Sequence, residues 1–259
     1  MDTLAVQRVG AVATVALNRP NQHNALNPAL IRDLTTAFQT LSADVAVRVI
    51  VLTGHGNSFC AGADINFMRA AADYTLAQNV ADGEAIFDLM AAIDGCPKPV
   101  IGRIQGAAIG GGVGLVSCCD SVVALADAAF GLSEARLGII PAVISPFVIA
   151  KIGPAQAREL FMTGERFKAP YAQSIGLVQH VAADIPALDA KVQERIGQFL
   201  LAAPGAQAAA KELVRAVAFR PPADLRAYTT QLIARRRASE EGREGLSSFL
   251  EKRPPAWQL

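Results

Sequence analysis

Metal-ligating and nucleophilic motifs are what this 259-residue sequence most plainly lacks. Its three histidines, His23, His55 and His180, lie far apart and never form H-E-x-x-H, so no zinc centre is nominated. The four cysteines, Cys60, Cys96, Cys118 and Cys119, have neither metal-ligand spacing nor the pattern of a secreted disulfide framework, and they read as reduced, mostly buried thiols. No G-x-S-x-G elbow is present, and no Gly-Lys-Ser or Gly-Lys-Thr follows a glycine loop, which excludes a hydrolase elbow and a P-loop. A dinucleotide fingerprint fails too: Gly112 and Gly114 begin one, but Ser117 stands where its third glycine belongs. Charge is sparse, with 24 Lys and Arg against 23 Asp and Glu, so there is no global electrostatic footprint for nucleic acid or an anionic membrane. No apolar run has the length of a transmembrane helix, and residues 1–20 lack the basic-then-apolar layout of a signal peptide. The expectation is a soluble, cytoplasmic protein.

What is present is a chain with 52% hydrophobic residues, long enough to bury about three quarters of its unfolded surface. Residues 1–20 alternate like a β-hairpin. In "NPALIRDLTTAFQTL", Leu30, Ile31, Leu34, Phe38 and Leu41 recur at helical spacing behind Asn27 as cap and Pro28 as first residue. "VRVIVLTG" and "KPVIGRIQG" read as buried strands, each followed by a glycine-rich loop and a helical stretch, the first continuing with interruptions to about Ile93. "SVVALADAAFGLSEARLGIIP" reads as strand, short strand and loop. This rhythm predicts an α/β fold with loops gathered at strand ends. From about residue 187 the pattern is wholly helical and more charged, so we divide the chain into a core, 1–190, and a helical region, 191–259.

Two bare loops draw attention. "GRIQGAAIGGGVGLVSCCD" places three consecutive glycines, Gly110 to Gly112, between apolar runs, and "SFCAGADI" offers Ala61, Gly62 and Ala63. Glycine is tolerated in such settings where something approaches the main chain closely or φ must be positive. Each loop could present a backbone N–H to a reacting carbonyl oxygen, as an oxyanion hole requires, although such loops also serve simply as tight turns.

The order of "VALNRPNQHNAL", "SFCAGADI", "KPVIGRIQGAAIGGGVGL", "DAAFGLSEARLGIIPA", "FMTGERFKAPYAQSIGLVQHV" and "GREGLSSFLEKRPPAW" resembles the crotonase superfamily, the enoyl-CoA hydratase and isomerase family, over essentially the whole chain. The resemblance implies a ββα spiral core, a C-terminal helical region that packs homotrimers, commonly paired as hexamers, and an acyl-CoA thioester as ligand. It implies no metal and no cofactor beyond the coenzyme A of the substrate. Carried over, the oxyanion amides are those of Ala61 and Gly111, and Gly110 to Gly112 are bare because side chains would obstruct the thioester. Asn24, Ala25 and Leu26 match the segment beside the CoA moiety, and Ala63, Asp64 and Ile65 its pantetheine and adenine side. Phe249 and Lys252 match positions that reach a neighbouring subunit's nucleotide, although Phe249 is equally readable as a helix-packing aromatic.

Hydratases of this family carry two glutamates. The second is kept as Glu134, in "FGLSEARLG", but the first position is Gly114. A lone carboxyl in an apolar pocket has its pKa raised, which suits an acid/base that takes and gives a proton; otherwise Glu134 is a surface residue paired with Arg136. One glutamate suffices for a Δ3,Δ2-enoyl-CoA isomerase, and hydration is open if main-chain groups near Pro141 and Ala142 help hold the water. "GGGVGLVSCCD" with "LSEARLGIIPAVISPFVIAKIG" resembles bacterial hydratases of branched glutaconyl-type esters, methylglutaconyl-CoA and isohexenylglutaconyl-CoA, and Gly114 is then expected to open room for the bulky or carboxylated acyl group. Asp64 and Glu84 are the candidates to replace the missing carboxylate. Rival readings are RNA binding, for which "IARRRAS" is the only conspicuous basic run and lacks aromatic interleaving, and a non-catalytic assembly protein with an idle Glu134.

Overall fold

The computed structural model describes residues 2–258. The predicted hairpin forms as β1 (Leu4–Val9) and β2 (Val12–Leu17). Helix α1 (Pro28–Ala43) begins where Asn27 accepts a 2.8 Å hydrogen bond from the Leu30 N–H, and all five residues of the predicted stripe are buried. Then follow β3 (Val49–Gly54), β4 (Ser58–Cys60), α2 (Ile65–Ala71), α3 (Leu76–Asp94), β5 (Val100–Ile104), β6 (Ala107–Ile109), α4 (Gly111–Ser117), β7 (Ser121–Leu125) and β8 (Ala129–Gly131). A 3₁₀ turn over Ser133–Leu137 leads to α5 (Ser145–Thr163), β9 (Arg166–Lys168), α6 (Ala169–Ser174) and β10 (His180–Ala182). The chain ends in α7 (Ile185–Leu201), α8 (Pro204–Val217), α9 (Arg226–Ala238) and α10 (Glu240–Leu250).

Two sheets organise these elements, one in the order β1-β2-β3-β5-β7-β10 and the other β4-β6-β8-β9. All neighbours pair in parallel except β1 with β2 and β8 with β9. Parallel strands covered on both faces need apolar residues throughout, and every residue of β3 is buried. Its alternation splits the core: Ile50 and Leu52 join Phe38, Phe59 and Phe130 on one side, while Val49 and Val51 meet α7 on the other.

The helical stretch before Ile93 is interrupted after Ala71, as expected, because Thr75 and Gln78 form a capping box that starts α3 anew. One expectation needs correction. A boundary at residue 190 would cut α7, whose Leu188, Val192 and Ile196 pack on β3, β5 and β7 and belong to the core. The helices outside the core begin with α8: α8 and α9 bury no residue and α10 only Ser248, leaving Val214, Leu246, Phe249 and Leu250 exposed. Among the described residues no helix is long and apolar enough to cross a membrane. All four cysteines are free and buried, and burial pushes the Cys60 and Cys119 thiols up to about 12.

Candidate active site

Parallel pairing of β4 with β6 sets the loop after Cys60 beside the loop after Ile109. The two backbones approach so closely that the glycines answer first to the protein itself. A Cβ at Gly112 would lie 2.3 Å from the Cys60 carbonyl oxygen, and one at Gly62, where φ is 91°, would lie 2.9 Å from the Ile109 oxygen. Gly110, at φ 52°, turns the chain into α4, and a Cβ there would lie 3.0 Å from Glu134 Oε1. The bareness expected for an incoming carbonyl is thus required already by neighbouring protein atoms.

Ala63 and Gly111 each line the cavity with a backbone N–H that has no backbone acceptor among the described residues, and Ala61, expected in that role, does not. The Ala61 N–H donates to the His23 carbonyl at 3.0 Å and is not available to a ligand. Around Ala63, the Leu26 N–H donates to the Gly62 carbonyl at 2.7 Å and the Asp64 N–H to the Leu26 carbonyl at 2.8 Å, as in a single parallel bridge. Successive peptide groups of an extended segment point to opposite sides, so the Ala63 N–H turns away from Leu26, and among the described residues it has no acceptor. Gly111 opens α4, where the first-turn N–H groups have no partner within the helix. Both residues line one cavity.

That cavity has a volume of about 230 Å³ and lies between the two loops, α2, α3 and the segment 137–144. Its walls are apolar apart from Ser133 and Glu134, and Glu134 is the sole ionisable side chain among the lining residues. Glu134 sits in the 3₁₀ turn, half-buried, with Oε2 enclosed and without a hydrogen-bond partner. Burial holds its carboxyl above the ordinary 4.5, partly opposed by a hydrogen bond from its own N–H. The ion pair with Arg136 is absent, since Arg136 Nε donates instead to the Thr163 carbonyl at 3.1 Å. Gly110, Pro141 and Ala142 also line the cavity.

Other expected site residues are placed elsewhere. Asn24 is fully buried and ties loops together, its amide donating to the His55 carbonyl at 2.9 Å and the Ser58 carbonyl at 2.8 Å. Ala25 is buried with its carbonyl bonded to Arg19. Asp64 caps α2 through the Asn66 N–H at 2.9 Å and pairs with Arg19 at 2.8 Å, and the guanidinium holds its carboxyl below the ordinary 3.8. It is therefore engaged, and neither it nor Glu84 lines the cavity. Ile65 is 73% exposed at the start of α2, and Phe249 (80% exposed) and Lys252 lie at and beyond the end of α10, all outside the cavity wall. Gly114 opens no room: a Cβ there would lie 2.6 Å from Ile144 Cγ2 and 3.0 Å from Met90 Cε, so these side chains already fill the space where a glutamate would project. Sequence reasoning missed Phe67, Met68, Ile86 and Ile144 as wall residues; they look like ordinary core positions in their own segments.

The family model described as enoyl-CoA hydratase/isomerase matches residues 7–259. The "Enoyl-CoA hydratase ACTT6" of Alternaria alternata is 40% identical over 212 residues, covering 81% of this chain and 68% of that protein. The "2,3-dehydroadipyl-CoA hydratase" of Escherichia coli is 36% identical over 259 residues, covering 98% of each. The crystal structure of an enoyl-CoA hydratase from Shewanella pealeana superposes with a TM-score of 0.95 at 38% identity, covering 98% of this chain and 96% of that one. With the paired sheets, the two bare loops and the family match over nearly its full length, the chain belongs to the enoyl-CoA hydratase/isomerase family of the crotonase superfamily.

Proposed function

We propose that the protein is an enoyl-CoA hydratase that adds water across the 2,3 double bond of an acyl-CoA thioester, with Glu134 as acid and base and the amides of Ala63 and Gly111 as oxyanion donors. The observation that carries this reading is a lone carboxyl, one oxygen unpartnered, in an apolar cavity lined by two residues with free backbone N–H groups. Water held by Glu134 gives a proton to the carboxylate as its oxygen bonds to C3. The π electrons move through C2 onto the thioester oxygen, where each N–H contributes about 3 kcal/mol of stabilisation. Glu134 then returns the proton to C2, the carbonyl reforms, and one water has been added. The coenzyme A of the substrate is the only organic group this scheme calls on.

We read the acyl group as apolar and branched near the reacting carbons. Ile86, Ile109, Ile140 and Ile144 give it an aliphatic surface, whereas the carboxylate of a glutaconyl-type ester finds no Lys or Arg among the lining residues. A trimer or hexamer remains part of the proposal, supported by the exposed Leu246, Phe249 and Leu250. A second reading, double-bond migration between C4 and C2, is favoured by the solitary carboxyl, which can shuttle one proton without holding water. Reactions in oxygen-18 water with crotonyl-CoA, 3-methylglutaconyl-CoA and a 3-enoyl-CoA, run with the native enzyme and Glu134→Gln, separate the two. Label in the product, lost in the variant, is expected; migration without label establishes the isomerase, and no turnover of any ester defeats both.

A further inference from the structure

Hydration needs a held water, and one carboxyl is a poor hold in an apolar cavity. A water ordered inside a protein engages about two to four polar partners, and the groups expected to assist Glu134 are not at hand. The position of the first glutamate is Gly114, and Ile144 and Met90 already fill the space its side chain would take. Pro141 has no N–H, and the Ala142 N–H donates to the Ile140 carbonyl at 2.8 Å. The Ala142 carbonyl is engaged too, accepting from the Ser145 N–H at 3.2 Å and the Ser145 hydroxyl at 2.7 Å.

Ser133 is the other residue with a polar side chain on the cavity wall. It stands next to Glu134 in the same 3₁₀ turn, and consecutive Cα atoms lie about 3.8 Å apart, so one water can reach both side chains. No side chain caps this turn, which leaves the Ser133 hydroxyl without that structural use. Ser133 Oγ has no hydrogen-bond partner among the described residues, and although the residue is half-buried, Oγ is not enclosed as Glu134 Oε2 is. The hydroxyl is therefore open beside the cavity that the residue lines. We infer that Ser133 is a second catalytic residue of the hydration, its Oγ accepting a hydrogen bond from the attacking water. One proton of that water passes to Glu134, while the other hydrogen stays directed at Ser133 and so aims the oxygen lone pair at C3. That hydrogen remains on the new hydroxyl group of the product, and Ser133 neither gains nor loses a proton. The inference rests on hydration as the reaction of this site.

Two measurements on the whole protein test it. The first is kcat for oxygen-18 incorporation from labelled water, with whichever of crotonyl-CoA and 3-methylglutaconyl-CoA the native enzyme hydrates. The second is isothermal titration with butyryl-CoA, a saturated ester that cannot be hydrated and reads recognition alone. Ser133→Ala is expected to lower kcat about tenfold, the effect of one lost hydrogen bond, with the Kd for butyryl-CoA unchanged. Ser133→Thr keeps the hydroxyl and should keep most of the native kcat. A native kcat in Ser133→Ala overturns the inference and leaves the proposed function standing. A fall shared by both variants, or one matched by weaker binding of butyryl-CoA, assigns the effect to the shape of the wall and overturns the inference as well. Absence of label in the native product with either ester overturns the inference together with the hydration it rests on.

Discussion

Gly114→Ala is expected to destabilise the protein by about 1 kcal/mol, and the partner that sets this cost can be named. The new Cβ would lie 2.6 Å from Ile144 Cγ2, 3.1 Å from Ile144 Cβ and 3.0 Å from Met90 Cε. The Met90 methyl ends a flexible side chain and gives way, whereas Ile144 Cγ2 is attached directly to a β-branched carbon and moves only with its backbone. Overpacking of this kind costs about 1–3 kcal/mol, offset by about 1 kcal/mol of helix propensity gained over glycine within α4. Gly114→Glu adds about 1–3 kcal/mol for a polar group buried without a partner, so it should cost about 3 kcal/mol. Ile144→Ala alone empties a buried site and costs about 2–5 kcal/mol. In the double variant Gly114→Ala/Ile144→Ala the added methyl enters the vacated space, and the pair should be more stable than the sum of the single changes by about 1–3 kcal/mol. Urea unfolding of the four proteins at one fixed concentration measures this coupling. Free energies that add within about 0.5 kcal/mol would refute the claim that Ile144 occupies the place of the first glutamate. The same background carries a chemical test, because Gly114→Glu combined with Ile144→Ala should bring a second carboxyl to the cavity and raise hydration relative to Ile144→Ala alone.

Glu134 makes two predictions of opposite character. As a base it must be ionised, so kcat/KM should fall along an acid limb centred above 4.5, and a limb at or below that value counts against the assignment. For stability, the folded protein binds the Glu134 proton more tightly than the unfolded chain, so stability is lost as pH rises through the raised folded value; Glu134→Gln should melt above the native protein at pH 8 and together with it at pH 4. Asp64 has the reverse sign, its folded value being depressed: Asp64→Asn keeps the helix cap but should lose about 3 kcal/mol at pH 7 by leaving Arg19 unpaired, a gap in urea midpoint that closes as pH drops below 3.8. Replacing the amide of Ala63 by an ester should lower kcat by about 10²–10³, whereas the same change at Ala61 should cost about 1 kcal/mol of stability through its bond to His23 with kcat preserved; equal loss of kcat from both would restore Ala61 as a donor.

How far each feature was legible in the sequence depends on how local its cause is. The stripe of α1 and the buried run of β3 follow from neighbours three, four or two residues away, and the sequence reading places them correctly. Helix α7 was readable by the same rule, since Leu188, Val192 and Ile196 repeat every four residues; the rising charge after residue 187 drew the boundary too early. The site fails the local test in a specific way. Ala61 and Ala63 are the same residue in the same bare loop, and what distinguishes them is that His23 takes one N–H while Leu26 takes the groups on either side of the other. Gly114 likewise looks open in its own helix, and only Ile144 and Met90, arriving from other elements, close it. Chemistry in this fold is set where segments distant in sequence converge on two loops. The sequence therefore announces the loops through their glycines, while the choice of donor and the filling of the vacant glutamate position are decided by residues that arrive from other segments.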